Sequence, residues 1–227
     1  MARFSKSMNT ARLLSRSLTD ERLCQKRQAS FEGEALSMHG RGASLNPSNR
    51  FERIELIADP ELDPTDRPDP KTLFLRDASR TVLSSNQSPD VPFNRSLNPY
   101  RGCEHGCAYC YARPTHEYLG FSAGLDFETR ILVKEDAPEL LRKELAHPSY
   151  KPQPIALSGV TDPYQPAERR LELTRRCLEV LLEFRNPVLL ITKNHLILRD
   201  LDLLTELSRF KACRVALSIT SLDSELS

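Results

Sequence analysis

The sequence predicts an α/β fold in which a parallel sheet is covered by helices, and three observations carry that reading. From residue 71 onward strand-like and helix-like segments alternate. The strand-like segments are apolar throughout, as strands buried on both faces are, and polar residues collect where those segments end. Right-handed crossovers return each strand in the same direction, which places those polar ends at one rim.

The elements follow in order. Residues 1–58 are Ser- and Arg-rich without sustained periodicity and read as a disordered N-terminal extension. Its start carries Arg3, Lys6, Arg12 and Arg16 and no acidic residue before Thr19, which fits a disordered tail or an organellar transit peptide. Residues 59–70, DPELDPTDRPDP, form a linker, because proline supplies no amide donor and breaks both helix and central strand. The folded domain is expected over 71–227.

Thr72–Arg76 and Thr81–Ser84 flank Asp77-Ala-Ser79 and read as a hairpin. Arg95–Tyr100 is a strand leading into a cysteine-rich loop. Ile131–Lys134 is extended. A helix follows from Asp136 to Leu145, with Asp136 as N-cap and Glu139 three residues on. Pro154–Val160 is an apolar strand. Ala167–Arg185 is an amphipathic helix with Glu172 and Arg176 paired on its wet side and Cys177 on its apolar face. Pro187–Thr192 is a strand, Arg199–Phe210 a helix, and Arg214–Thr220 the last strand. The free edge of that last strand is expected to be unpaired or covered by the N-terminal extension. The strand ends then read Ser158-Gly159-Val160-Thr161-Asp162, Thr192-Lys193-Asn194-His195 and Ser218-Ile219-Thr220-Ser221, sharing one mouth with the cysteine loop. His195 reads as an exposed loop residue.

Composition narrows the function. The chain has 227 residues, 32 basic and 31 acidic, for a net charge of +1, so no global field selects nucleic acid or a membrane surface. No apolar run approaches the roughly 20 residues that span a bilayer. Six cysteines with three of them clustered fit a reducing cytoplasm better than a disulfide framework.

The clustered three are the strongest signal. Cys103, Cys107 and Cys110 are spaced C-x3-C-x2-C within Gly102-Cys-Glu-His-Gly-Cys-Ala-Tyr-Cys-Tyr111. Closed iron–sulfur and structural zinc sites take four protein ligands, so three thiolates leave a coordination position open. A zinc site completed by His105, or three small core residues on one helix face, would use the same spacing. Pro99, Gly102, Gly106 and Pro114 instead punctuate the stretch as loop, and its charged neighbours do not suit a buried helix.

This loop, C-x3-C-x-Tyr-C, resembles the cluster-binding loop of the radical S-adenosylmethionine (radical SAM) enzymes. The stretch from Arg95 to Tyr118, RSLNPYRGCEHGCAYCYARPTHEY, resembles the branch that includes spore photoproduct lyase, and within it uncharacterised bacterial radical SAM proteins. The resemblance runs from about Leu73 to the C-terminus. It implies that Cys103, Cys107 and Cys110 hold a four-iron, four-sulfur (4Fe-4S) cluster whose fourth iron chelates S-adenosylmethionine. Reductive cleavage of that cofactor then gives a 5′-deoxyadenosyl radical that takes a hydrogen from a substrate. It further implies a one-electron donor such as flavodoxin or ferredoxin, with nucleic acid as a substrate by family analogy alone.

By the same resemblance Tyr109 packs beside the cofactor, with Tyr111 a second aromatic candidate. Ser158 and Gly159 meet its methionyl end, Lys193 contacts it, and Ser218 lies near its ribose. Two departures stand out. Leu157 precedes Ser158 where spore photoproduct lyase has its hydrogen-donating cysteine, which argues against thymine-dimer repair. The family's barrel has six strand–helix units and this chain carries about four, so a partial (β/α) barrel and a C-terminally truncated chain are expected. An iron–sulfur electron carrier or scaffold, closing the fourth iron with a residue, is the alternative function.

Overall fold

The computed structural model describes residues 40–51 and 71–223 and shows a mixed α/β protein. The linker 59–70 lies outside the described residues, as do 1–39 and 52–58 of the extension. In chain order the strands are β1 (Leu73–Arg76), β2 (Leu83–Ser85), β3 (Arg95–Leu97) and β4 (Tyr100–Arg101). After a 3-10 turn at Arg113–Leu119 come helix α1 (Leu125–Thr129), β5 (Arg130–Val133) and α2 (Ala137–Leu145). Then follow β6 (Ile155–Leu157), α3 (Glu168–Leu171), α4 (Leu173–Glu183) and β7 (Val188–Thr192). A 3-10 turn at His195–Asp200 leads into α5 (Leu201–Arg209) and β8 (Cys213–Leu217).

The main sheet has the order β2-β3-β6-β7-β8. Its last four strands are parallel, in the register Leu97↔Leu157 and Leu157↔Leu190, with Leu190 opposite Val215. Helices α2, α4 and α5 cover one face. Leu141, Leu178, Leu181 and Leu207 bury there against Leu97, Ile155, Leu157 and Leu190, all fully buried. The apolar face of α4 includes Cys177, fully buried as its helical position implies. β8 forms the edge, pairing with β7 alone among the described residues, with Leu217 and Ile219 60% and 70% exposed.

The expected hairpin is not formed. β1 pairs in parallel with β5, Leu73↔Arg130 through Arg76↔Val133, and β2 pairs antiparallel with β3. The polar residues between them bind elsewhere, which steers the chain from one sheet to the other. The Asp77 amide donates to Val133 O at 2.9 Å and its carboxylate meets Arg101 Nε at 2.8 Å. Val82 is buried under the helices with its amide donating to Glu144 Oε1 at 2.6 Å. β1, β5 and β4 thus make a second, three-stranded sheet around Tyr100, Ile131 and Val133.

The long helix expected over 167–185 is broken at Glu172, where φ is +51°, so α3 and α4 are separate. The cause is tertiary. The buried Glu168 carboxylate accepts from the amides of Thr174 (3.0 Å) and Arg175 (3.4 Å), capping α4 from outside the helix. The Glu172–Arg176 pair is replaced by Arg176 to Glu139 at 3.3 Å and Glu172 to Arg199 at 3.9 Å. Asp136 precedes α2 as expected but makes no side-chain cap; its carboxylate goes to Arg76 Nη2 at 3.0 Å.

Gly40–Phe51, which composition groups with the extension, packs against the residues around the cysteine loop.

Candidate metal centre and strand-end rim

The cysteine loop follows β4 and is folded by successive tight turns. Gly106 N donates to Cys103 O (3.2 Å), Cys110 N to Cys107 O (3.2 Å) and Arg113 N to Cys110 O (3.4 Å). Gly102 and Gly106, at φ +87° and +62°, occupy the left-handed conformations these turns need. The loop is anchored on both sides. Cys103 N donates to Phe127 O at 2.9 Å. The fully buried Gln165 accepts from Glu104 N (2.9 Å) and donates to Gly102 O (3.2 Å).

Cys103 is buried, and burial pushes its thiol up to about 12, against the backbone of Asp162 and His105, which hydrogen-bond the sulfur. Cys110 packs beside it with Ala112 and Phe127. Cys107 Sγ receives Lys193 Nζ at 2.9 Å. Among the described residues no three His, Cys, Asp or Glu side chains stand close enough together to hold a metal ion, so the thiols share the loop without converging. The donor chemistry fits an iron–sulfur cluster nonetheless. All three side chains are free thiols on one short loop, and the sulfur of the buried one is met by backbone amides, as cluster thiolates are. His105, the alternative zinc ligand, has its Nε2 3.6 Å from Asp162 Oδ2, and burial, only partly countered by Asp162, lowers its pKa.

The strand-end residues surround this loop. Lys193, just past β7, also reaches Tyr109 OH at 3.2 Å, with Nζ 5.1 Å from the centre of that ring. Burial works against the Lys193 ammonium, but its bonds to Cys107 and Tyr109 outweigh that and its pKa is raised. Tyr111 OH donates to Gly159 O at 2.7 Å, tying the loop to the end of β6. Ser158 holds φ at +117°, a strained conformation for a residue with a Cβ. The turn is maintained by Asn98 Oδ1, which accepts from Val160 N (3.2 Å) and Thr161 N (3.4 Å). Ser218 follows β8 with its amide donating to Thr192 O at 2.9 Å, and its side chain is exposed. His195 is exposed, as its sequence context implied. Lys193, Tyr109, Ser158 and Gly159 are therefore gathered with the cysteines, while Ser218 shares the rim at a remove.

Two residue groups escaped the sequence reading as site elements. Asp162 joins the ends of β6 and β7, accepting from Thr192 Oγ1 (2.6 Å), Lys193 N (3.0 Å) and Tyr164 N (2.9 Å). Its place in a polar strand end was the available signal. Arg113 and Glu128 form a buried pair at 2.7 Å behind the loop. Arg113 is visible only as a charged neighbour of Cys110, and nothing in the spacing singles out Glu128.

The chain is similar to an uncharacterized protein of Mycobacterium tuberculosis and to one of Mycobacterium bovis, each 43% identical over 136 residues, or 60% of this chain and 40% of theirs. It is 32% identical over 130 residues to an uncharacterized protein of Methanocaldococcus jannaschii, covering 57% of this chain and 46% of that one. The chain thus spans less than half the length of these curated relatives. No family model matches it, and no solved structure does.

Proposed function

We propose that this chain belongs to a radical SAM enzyme, with β3, β6, β7 and β8 as the first four strands of its (β/α) barrel. Cys103, Cys107 and Cys110 would hold a 4Fe-4S cluster, which supplies one-electron reductive cleavage of S-adenosylmethionine when bound. The observation that carries this reading is the meeting of Lys193 with both Cys107 Sγ and Tyr109 OH, which joins the three-thiol loop to the carboxyl end of a parallel strand.

The remaining roles follow from the chain's own groups. Lys193 offers a cation to the cofactor carboxylate, and Tyr109, 71% exposed, offers a ring face to its adenine or sulfonium. The strained turn at Ser158-Gly159 presents backbone polar groups at the rim, where the methionyl end would lie. Ser218, at the end of β8, would meet a ribose hydroxyl. A small one-electron donor such as flavodoxin or ferredoxin would reduce the centre, in the cytoplasm.

Anaerobic reconstitution tests the reading in two steps. Roughly four irons per chain should bind. S-adenosylmethionine should then change the electron paramagnetic resonance spectrum of the reduced protein and release 5′-deoxyadenosine. Iron uptake with a spectrum indifferent to saturating S-adenosylmethionine would favour the electron-carrier alternative. No uptake at all would refute both.

A further inference from the structure

Residues 40–51 run as a strap against the residues that hold the cysteine loop, and one of their contacts is with a buried carboxylate there. Glu128 is fully buried and accepts from Gly42 N at 3.1 Å and from Arg113 Nη2 at 2.7 Å. Arg41 Nη1 donates to the Glu128 carbonyl at 2.9 Å. Arg113, paired with that carboxylate, gives two further contacts to the loop and one, from Nη1, to Gly124 O at 2.9 Å. Its Nη2 reaches Gly106 O at 2.8 Å and its Nε reaches Cys107 O at 3.0 Å. Strap, carboxylate, guanidinium and ligand-bearing loop are thus one connected unit, and the guanidinium contact falls on a carbonyl of a cysteine.

The strap is built to lie this close. A Cβ on Gly42 would stand 1.8 Å from Gly106 O, and one on Gly124 would stand 2.2 Å from Leu45 O, so glycine is required on each side of the seam. Farther along, away from the cysteines, the strap has its own anchor. Asn49 Nδ2 donates to Glu117 O and Phe121 O, both at 2.9 Å. Arg50 Nε donates to Glu117 Oε2 at 2.8 Å, and Phe51 stacks on Tyr118 with ring centres 5.2 Å apart.

We propose that this strap is part of the housing of the metal centre. Its seating fixes the cysteine loop through Gly42, Glu128 and Arg113, so that strap seating and metal binding favour each other. The proposal rests on reading Cys103, Cys107 and Cys110 as metal ligands. The physical basis is linkage: a loop whose carbonyls are held by Arg113 has less freedom to lose when metal orders it. Metal in the loop returns the same factor to the strap. Arg113, Glu128 and Gly42 are positioning residues here, since none touches the metal or the reacting atoms.

The test uses the full chain carrying Asn49→Ala and Arg50→Ala together, which removes the distant anchor without altering any group at the loop. Gly42→Val, which forces the strap off Gly106, is the second variant, and Glu128→Gln keeps shape while removing charge. Three readouts are taken: the rate of iodoacetamide labelling of Cys107 and Cys110 in metal-free protein, the rate at which a chelator strips reconstituted iron, and tryptic cleavage after Arg41. Strap variants with intact circular dichroism should label faster and lose iron about tenfold faster, within the usual range for coupled sites. Metal loading should slow cleavage after Arg41 in the parent protein.

Variants cut readily after Arg41 but unchanged in labelling and iron loss would overturn the proposal. If the parent takes up no iron while the strap variants still label faster, the strap's hold on the loop stands and the metal reading falls. Rescue of slow iron loss by Glu128→Asp but not by Glu128→Gln would assign the effect to the charge paired with Arg113.

Discussion

Replacing Glu168 with Ala should be among the most damaging single changes to this protein. The carboxylate is fully buried and joins four elements. It accepts from Tyr100 OH, from Thr174 N at 3.0 Å and from Arg199 Nη2 at 2.8 Å. Burial, reinforced by Glu168, raises the Tyr100 phenol far above its ordinary pKa, so that group is a committed donor with nowhere else to turn. Alanine leaves Tyr100 OH and Thr174 N buried without acceptors, at about 1–3 kcal/mol each. Arg199 is partly compensated because it keeps Asp200, at 2.8 Å and 2.9 Å. The two orphaned groups together cost about 2–6 kcal/mol, centred on the usual cost of removing one side of a buried pair. In urea, with m of about 2 kcal/mol/M, the unfolding midpoint should fall by about 2 M with m unchanged. A midpoint shift below about 0.5 M would refute the claim that Glu168 caps α4 and ties it to Tyr100. Because Tyr100 lies two residues before Gly102, the variant should also bind iron less stably than a Leu178→Ala control of equal stability.

Three further outcomes are expected of the same fold. Burial lowers the pKa of His116 from an ordinary 6.5 to about 4. The folded state therefore resists a proton the unfolded state accepts, and stability should be lost as pH falls from about 6.5 toward 4, by about 3 kcal/mol in all; His116→Phe should remove that slope in urea titrations at each pH. Cys103→Ala, Cys107→Ala and Cys110→Ala should each abolish reconstituted iron, whereas Cys177→Ala should retain it, and loss of iron from a folded Cys177→Ala would count against the ligand assignment. Leu178→Ala, emptying a fully buried position between α4 and the sheet, should cost about 2–5 kcal/mol in calorimetric or urea unfolding.

Elements whose cause is local or periodic were legible in the residues alone. Ile155–Leu157 and Val188–Thr192 are apolar runs too short for helices, and α2, α4 and α5 carry apolar stripes at helical spacing, so their type was readable, though not where α4 begins. Parallel order then followed from chirality, and with it the prediction that the ends of β6, β7 and β8 share one rim with the cysteine loop. The C-x3-C-x2-C spacing of Cys103, Cys107 and Cys110 was legible because spacing is a local property of the chain. Features that depend on partners distant in sequence emerged with the fold. β1 abandons the adjacent β2 for Arg130–Val133, because a strand's partner is chosen by which edge is open and which side chains bury there. The break at Glu172 is set by Glu168 accepting the amides of α4, a bond that no helical period encodes. Glu128 lies 86 residues from the Gly42 amide it accepts, and that separation is why the strap could not be read from spacing. The contact exists because burying a carboxylate beside Arg113 demands every donor within reach, and the strap brings one.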